Sequence, residues 1–297
     1  MHKNAQKDVM LRHMKFAHVL KQASTLLENA GVPEARREAS SLLSFVLGKD
    51  RTFLISHADD EVGDDSVDRF RELVERRAGG EPLQYITGVQ DFFGREFLVT
   101  PDVLIPRPET ELLVEAALEK AGGRGASPIL CDVGTGSGCI ALTLLSEIFA
   151  ARAVAVDKSA AALEVAKLNA QKLSVTDRVE FLVSDCFSAL EQDEYRFDVI
   201  VSNPPYVAAA VVAGLQREVR DHEPLVALSP GPDGLSIIRR LLEESPAFLK
   251  PGGHLLMEIG FDQGEAVTAL VDDSIWRLLE IRPDLQSIPR IVVLQKR

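Results

Sequence analysis

The chain is short of cysteine, of histidine clusters and of long apolar runs, and each shortage excludes a class of protein. Its 297 residues include 3 Cys and 6 His. Cys131, Cys139 and Cys186 lack the spacing of metal ligands, and two of them fall in predicted core elements, so we expect reduced thiols and no metal. No apolar run reaches the roughly 20 residues that cross a membrane, and the N-terminus lacks the apolar stretch of a secretory signal. These absences predict a cytoplasmic protein with no membrane partner.

Positive charge is also scarce. The formal net charge is −12, with 33 Lys and Arg against 45 Asp and Glu. Residues 1–85 are nearly balanced, at 13 basic against 14 acidic, so the remaining residues carry 20 basic against 31 acidic. An acidic surface weakens non-specific binding to phosphate backbones, and no run of basic and aromatic residues is present. We therefore expect no direct nucleic-acid partner.

The length and the apolar patterns predict two domains. Apolar residues recur at helical spacing through residues 14–85, which predicts a small helical bundle, and residues 1–13 read as a flexible extension. Residues 86–105 are expected to form a hairpin or linker. Residues 106–297 alternate strand and helix patterns, which is typical of an α/β doubly wound, mostly parallel sheet.

The last strand of that sheet is expected to be antiparallel. The strand patterns at Trp276–Ile281 and Ile288–Leu294 are joined only by residues 282–287. A parallel crossover needs about a dozen residues or more, so this connection is too short for one.

A glycine-rich turn separates a predicted strand at Ile129–Val133 from a predicted amphipathic helix that begins at Cys139. Glycines permit a sharp turn and close approach of a ligand, and the start of the helix offers free N–H groups. The spacing G-x-G-x-G differs from the dinucleotide fingerprint G-x-G-x-x-G, and no lysine follows as in a phosphate-binding P-loop. The turn is a candidate cofactor loop formed by Gly134, Thr135, Gly136, Ser137 and Gly138.

Acidic residues follow the next two predicted strands. Asp157 can accept hydrogen bonds from the two hydroxyls of a ribose; alternatively it caps the following helix, a role that Ser159 could also fill. Asp185, beside Cys186 and Phe187, can bind the amino group and faces of an adenine. Ligands of open α/β sheets bind at the carboxyl ends of strands, so these residues together predict a site for a nucleoside cofactor.

The predicted strand at Phe197–Ser202 ends in Asn203-Pro204-Pro205-Tyr206. Two prolines stop the strand and remove two backbone donors, while the local carbonyls and the Asn203 side chain remain as acceptors. Tyr206 adds a flat ring. Such acceptors suit a planar NH₂ group next to the cofactor, which indicates methylation of an amide or amino nitrogen. Taken alone, the tetrapeptide would more often be an ordinary turn.

The combination of these motifs resembles the peptide chain release factor N(5)-glutamine methyltransferases, the PrmC/HemK family. The resemblance runs from about Met14 to the C-terminus. Further segments that carry it are Glu81–Gly88, Phe92–Gly94, Leu104–Glu111, Glu223-Pro224 and Gly231–Leu235. It implies a seven-stranded S-adenosylmethionine-dependent methyltransferase sheet behind a helical domain that helps to dock the substrate.

The resemblance also implies an activity and the residues that perform it. A methyl group would pass from S-adenosyl-L-methionine to the side-chain amide nitrogen of the glutamine in the Gly-Gly-Gln motif of class-1 release factors. Asn203, Pro204 and Tyr206 would be catalytic, and with Pro205 they would bind the substrate; Asn203 would also contact the cofactor. The family often has tryptophan at position 186, so in this chain Phe187 or the Cys186 backbone is expected at the adenine. A monomer is expected.

Two other functions are compatible with the same motifs. An adenine-N(6) methyltransferase also binds a planar amine, although it would be expected to have a basic groove and a target-recognition insertion. A non-catalytic cofactor-binding adaptor would have no need of Asn203 and Tyr206. Outside the main motifs, four residues are expected either to order the loops over the site or to form surface ion pairs and caps: Arg107, Glu109, Thr110 and Glu223.

Overall fold

The computed structural model describes residues 14–122 and 127–297, so the predicted extension at residues 1–13 lies outside the described residues. By its contacts the chain divides into two units. The first contains the described residues up to Gly88 together with Arg217–His222, and the second contains Val89–Gln216 and Glu223–Arg297. The short helix at Arg217–His222 therefore belongs to the first unit although its neighbours in sequence belong to the second.

The first unit is helical, as the periodicity predicts. Its long helices bury their apolar stripes around a core that includes Leu27, Leu42, Leu43 and Phe70. A two-residue antiparallel pairing joins β1 (Met14–Lys15) to β2 (Glu61–Val62). The helices are α1 (Phe16–Asn29), α2 (Ala35–Leu47), α3 (Arg51–Ser56), α4 (Asp64–Ala78) and α5 (Leu83–Thr87).

A hairpin opens the second unit. Strands β3 (Val89–Phe92) and β4 (Arg95–Leu98) pair antiparallel around Phe93 and Gly94, whose φ angles are 51° and 69°. Positive φ at both central residues is the geometry of the tight turns that match strand twist. Phe92 and Phe97 are buried beneath the hairpin with their rings edge to face, 6.0 Å apart.

The second unit contains a seven-stranded sheet whose order is β10-β11-β9-β8-β5-β6-β7. The five neighbouring strands β9, β8, β5, β6 and β7 are parallel to one another. Strand β11 is antiparallel to both β9 and β10. The expectation of an antiparallel last strand is confirmed. The strands are β5 (Ile129–Val133), β6 (Arg152–Asp157), β7 (Val179–Val183), β8 (Phe197–Ser202), β9 (Leu249–Glu258), β10 (Trp276–Pro283) and β11 (Pro289–Lys296).

The remaining helices connect the strands or lie in the loops after β8. They are α6 (Glu111–Lys120), α7 (Cys139–Glu147), α8 (Ala160–Lys172), α9 (Ala209–Val212), α10 (Arg217–His222), α11 (Leu225–Leu228), α12 (Ser236–Glu244) and α13 (Gly264–Leu270). Short 3₁₀ turns occur at Pro108–Thr110, Thr176–Arg178 and Ser245–Ala247.

The prediction that α7 is amphipathic is wrong. Every residue from Cys139 to Leu145 is buried. The helix shares one core cluster with sheet residues such as Val199 and with Phe92 and Leu113 from the hairpin and α6. Because it is covered by protein beyond the sheet, α7 has no solvent-facing polar stripe over these residues.

Strand register brings the carboxyl ends of the central strands to one edge of the sheet. Val133 of β5 pairs with Val156 of β6, Asp157 pairs with Val183 of β7, and Ser202 of β8 pairs with Met257 of β9. The residues that follow these strands therefore meet at this edge. In residues 14–122 and 127–297, no helix has both the length and the apolar character needed to span a membrane.

Candidate active site

A cavity of about 230 Å³ lies at the carboxyl edge of the sheet. It is lined by loops that follow β5, β6, β7 and β8, which are the four loops chosen from the sequence. Among its walls are the predicted site residues Gly134, Thr135, Gly136, Ser137, Asp157, Asp185, Cys186, Asn203, Pro204 and Pro205.

The glycine loop keeps its backbone open on the side of the cavity. Gly134 and Gly136 have φ angles of +76° and +55°, which L side chains rarely adopt, and no atom lies within 4 Å of a Cβ built on either residue. This space allows a ligand to lie directly against the main chain. Ser137 Oγ, in the same loop, is buried without a hydrogen-bond partner within the described chain.

Asp157 supports the glycine loop instead of capping helix α8. Its Oδ2 accepts a hydrogen bond from Gly136 N at 2.9 Å and its Oδ1 accepts one from Ser159 N at 2.9 Å. The cap is Ser159, whose Oγ accepts from Ala162 N at 3.2 Å. A carboxylate has about four acceptor positions, so Asp157 retains capacity for hydroxyl groups of a ligand.

Asp185 and Cys186 form the next part of the wall. Asp185 Oδ1 accepts from Arg240 Nη1 at 2.7 Å, and Arg240 Nη2 donates to the Asp185 carbonyl at 3.1 Å. Cys186 is buried with a left-handed φ of 51°. Burial raises the pKa of its thiol to about 11, so the side chain is neutral and poorly nucleophilic near pH 7.

Three predicted site residues do not line the cavity. Gly138 faces the helices, because a Cβ there would lie 2.8 Å from Leu142 Cδ1. Phe187 is buried and stacks on Phe248 with ring centres 5.0 Å apart, so its ring belongs to the core. Tyr206 does not line the cavity either, because its hydroxyl group is bonded to Glu258.

Asn203 has a defined side-chain partner. Its Nδ2 donates to Thr110 Oγ1 at 2.9 Å, and Thr110 Oγ1 donates in turn to Glu258 Oε2 at 2.7 Å. Within the described chain, neither Asn203 Oδ1 nor the Pro204 carbonyl accepts a hydrogen bond. The edge of the cavity therefore presents two acceptors.

Tyr206 is held by its hydroxyl and by its backbone. The hydroxyl donates to Glu258 Oε1 at 3.2 Å. Burial raises the pKa of Tyr206 above the ordinary value of a tyrosine. Gln263 Nε2 donates to the Tyr206 carbonyl at 3.1 Å. A Cβ at Gly234 would lie 2.3 Å from the same carbonyl, so only glycine fits beside this loop.

The residues predicted to order the surrounding loops have different environments. Arg107 Nη2 donates to both carboxylate oxygens of Glu223, at 2.6 and 2.8 Å, and the Glu223 side chain is only 1% exposed. Thr110 is buried in the Asn203 network, whereas Glu109 is exposed. The Arg107–Glu223 pair links the segment before α6 to the segment after α10.

Several residues that the sequence analysis did not select also support the site. Asn169, fully buried, bonds to Leu98 N and O and donates to Ser137 O at 2.9 Å, which connects the hairpin to the glycine loop. Asp132 Oδ2 accepts from Thr135 Oγ1 at 2.7 Å, and burial raises the pKa of Asp132 to about 7. The available signal was a charged residue within or directly after an apolar run, as for Asp132 in β5 and for Glu258 after Leu255–Met257 of β9.

Among the residues that the structure describes, no group of three or more His, Cys, Asp and Glu side chains is arranged to hold a metal ion.

Comparison with known proteins agrees with the division into two parts. Residues 18–88 match the PrmC N-terminal domain, and residues 108–218 match the methyltransferase small domain. Release factor glutamine methyltransferase of Koribacter versatilis is 47% identical over 91% of this chain and 94% of its own. The protein of the same name from Cereibacter sphaeroides is 44% identical over 94% of this chain and 98% of its own. A crystal structure of a Pyrococcus furiosus methyltransferase shares the fold, with a TM-score of 0.51 at 17% identity, covering 69% of this chain and 90% of that one.

The sheet order, the glycine-rich loop at the end of β5 and the matched methyltransferase domain define this protein as an enzyme of the methyltransferase class. At 44–47% identity over nearly the full length of both relatives, the chain belongs to the release factor glutamine methyltransferase family.

Proposed function

We propose that this enzyme transfers a methyl group from S-adenosyl-L-methionine to the side-chain amide nitrogen of the glutamine in the Gly-Gly-Gln motif of class-1 peptide chain release factors. The names of the relatives support the substrate class. The observation that carries the proposal is the pair of acceptors, Asn203 Oδ1 and the Pro204 carbonyl, at the edge of the cavity that holds the glycine loop. A primary amide has two N–H donors, one for each acceptor.

The residues present fit the cofactor. The open space over Gly134 and Gly136 accepts a ligand against the backbone, and Asp157 has acceptor capacity for ribose hydroxyls. Asp185 and Cys186 continue the same wall, where we place the adenine. When bound, the cofactor supplies an electrophilic methyl group on a positively charged sulfur.

The contribution of the chain is to orient a weak nucleophile. The amide nitrogen lone pair is delocalised into the carbonyl, so the nitrogen reacts only when it is held in line with the methyl group. Asn203 Oδ1 and the Pro204 carbonyl would accept its two N–H groups and would favour the positive charge that develops on nitrogen. The amide nitrogen held by these acceptors would form its new bond to the methyl carbon as the bond from that carbon to sulfur breaks, and the nitrogen would release one proton to water. Tyr206 would support the loop through the hydrogen bond of its hydroxyl to Glu258.

Two other assignments are compatible with the same motifs, and one experiment distinguishes them from the proposal. Adenine-N(6) methylation of nucleic acid would use the same acceptors for an exocyclic amine. A non-catalytic adaptor would bind the cofactor without transferring the methyl group.

The Asn203→Ala variant tests the mechanism. Loss of one oriented acceptor should lower methyl transfer to a purified class-1 release factor by about 100-fold or more, since it removes contacts to the developing charge. Binding of S-adenosyl-L-methionine, measured by calorimetry, should change little because the glycine loop and Asp157 remain. Transfer of a radiolabelled methyl group measures the activity.

The substrate control is a release factor whose Gly-Gly-Gln glutamine is replaced. Label only on the intact factor supports the proposal. Label on DNA or RNA instead would move the assignment to adenine methylation, and cofactor binding without label on any acceptor would favour an adaptor. Undiminished transfer by Asn203→Ala would contradict the assigned role of Asn203.

A further inference from the structure

A buried carboxylate lies behind the Asn203 side chain. Glu258, the last residue of β9, is 1% exposed and does not line the cavity. Burying a charged carboxylate is costly unless hydrogen bonds compensate for the lost water. The two Glu258 oxygens meet different hydroxyl groups: Oε2 accepts from Thr110 and Oε1 accepts from Tyr206.

The single proton of Thr110 determines which way the Asn203 amide faces. Thr110 Oγ1 has one proton, and at 2.7 Å from Glu258 Oε2 it donates that proton to the carboxylate. Toward Asn203, at 2.9 Å, the same oxygen can then only accept. It must therefore face the Nδ2 group, which turns Oδ1 toward the acceptor site. Thr110 is only 2% exposed, which limits the access of water that could replace either bond.

We propose that Thr110 and Glu258 are positioning residues, which fix the Asn203 amide with its oxygen toward the methyl acceptor and hold Tyr206 through the same carboxylate. This inference rests on the proposed function, because it assumes that Asn203 Oδ1 receives an N–H of the substrate amide. Neither residue touches the reacting atoms.

The opposite protonation of Glu258 would allow the opposite amide orientation. A neutral carboxyl could donate to Thr110 Oγ1, which would free the threonine proton for Asn203 Oδ1. The Asn203 NH₂ group would then face the NH₂ group of the substrate, and two donors cannot bond to each other. Methyl transfer therefore requires the ionised carboxylate.

The surroundings of Glu258 place this change within reach of pH. Burial raises the pKa of Glu258 above its ordinary value, and Glu109 from the 3₁₀ turn acts in the same direction. The hydrogen bonds from Thr110 and Tyr206 and the charge of Arg290 on β11 oppose that rise. Because the active form is ionised, kcat should fall as the pH decreases through the raised pKa of Glu258.

Two substitutions at Thr110 in the full-length enzyme test the inference. Thr110→Val retains the shape and removes the hydroxyl, so kcat for the release factor should fall by about 100-fold through misorientation of the acceptor. Thr110→Ser retains the hydroxyl and should keep kcat within about fivefold of the wild type. Cofactor affinity should be unchanged in both variants, so the loss appears in kcat.

Thr143→Val is the matched control. Thr143 is also fully buried, and its hydroxyl has no hydrogen-bond partner within the described chain. Thr143→Val makes the same exchange of a hydroxyl group for a methyl group but breaks no hydrogen bond of the Asn203 network. Its kcat should therefore remain at the wild-type value. The acidic decline of kcat should be present in the wild type and in Thr143→Val, and it should disappear from the residual activity of Thr110→Val.

A spectroscopic readout separates this inference from the proposed function. In NMR spectra of the unliganded enzyme, the side-chain NH₂ signals of Asn203 are assigned by their loss in Asn203→Ala. These signals should shift in Thr110→Val and should keep their wild-type positions in Thr110→Ser. If these signals respond as expected while the wild type fails to methylate release factors, the network stands and the proposed function fails. Wild-type kcat in Thr110→Val, or a loss that serine does not rescue and that accompanies loss of cofactor affinity, would overturn the inference.

Discussion

Asp132 and Glu258 are both buried carboxylic acids at strand ends, but they differ in their hydrogen bonds. Asp132 Oδ1 has no partner within the described chain, and burial raises the pKa of Asp132 to about 7. Glu258 faces hydroxyl donors on both oxygens. Hydrogen bonds to the charged form favour it, whereas burial alone favours the neutral form. Donors reach only Oδ2 of Asp132, from Thr135 and Ala141, whereas both oxygens of Glu258 accept from hydroxyl groups, which leaves Glu258 better held as an acceptor.

Gly234 shows a steric constraint at the same scale. Its φ is +73°, and a Cβ would lie 2.3 Å from the Tyr206 carbonyl. Gly234→Ala should displace the loop that contains Asn203 and Tyr206, and should lower both kcat and the free energy of unfolding. The left-handed backbone alone accounts for roughly 1–2 kcal/mol of that loss, and the contact should add to it. Urea unfolding and the methyl-transfer assay measure the two effects.

Gly252→Ala is the matched control for Gly234→Ala. Gly252 has nearly the same φ, +75°, but the nearest atom to its Cβ would be Gln295 Nε2 at 3.9 Å. This variant should show only the backbone penalty and normal kcat. Equal losses of stability and activity in the two variants would remove the steric argument.

At the scale of elements, buried ion pairs fix helices that sequence patterns cannot connect. The Arg77 side chain on α4 is 4% exposed and contacts Glu38 on α2 and Glu218 on α10. Residues 38, 77 and 218 are far apart in sequence, so no periodicity brings them together. The guanidinium presents donors in a fixed planar arrangement that suits two carboxylates.

Arg77→Met should destabilise the first unit by about 3 kcal/mol, because it leaves two partly buried carboxylates without their cation. Thermal unfolding followed by circular dichroism measures the loss. Arg71→Met provides the control on the same helix: its pair with Asp68 has side chains 41% and 78% exposed, and should contribute less than about 1 kcal/mol. A loss no larger for Arg77→Met than for Arg71→Met would contradict the structural role of the buried pair.

Sequence patterns identified most elements but not all of their boundaries or surroundings. Strand β9 begins at Leu249, which pairs with Phe197 of β8, and the pairing resumes at His254 after a register shift. The helix from Cys139 was expected to be amphipathic and is buried instead. Period and composition are local properties, whereas burial of a whole helix depends on what the rest of the chain packs against it.

At the scale of the molecule, charge constrains the choice of substrate. The net charge of −12 is concentrated after residue 85. An acidic surface opposes counterion release from a phosphate backbone, which drives non-specific nucleic-acid binding. This property favours a protein substrate over an extended nucleic acid.

We expect the enzyme to bind labelled single-stranded RNA or duplex DNA only at Kd values weaker than about 10⁻⁴ M at 0.15 M salt, the weak end of non-specific binding. Fluorescence anisotropy across a salt series measures this. Micromolar binding that weakens steeply with salt would reveal a local basic surface and would strengthen the adenine alternative.

Spacing within short segments is enough to predict the alternation of helices and strands, the antiparallel last strand, the glycine loop and the Asn-Pro-Pro-Tyr turn. Long-range packing is what turns Gly138 and Phe187 toward the core and connects Asn203 through Thr110 to Glu258. Thr110 lies 93 residues from Asn203 and 148 from Glu258. Such contacts depend on how the sheet stacks its strand ends and on where a buried polar group finds a partner, and neither is encoded in local sequence.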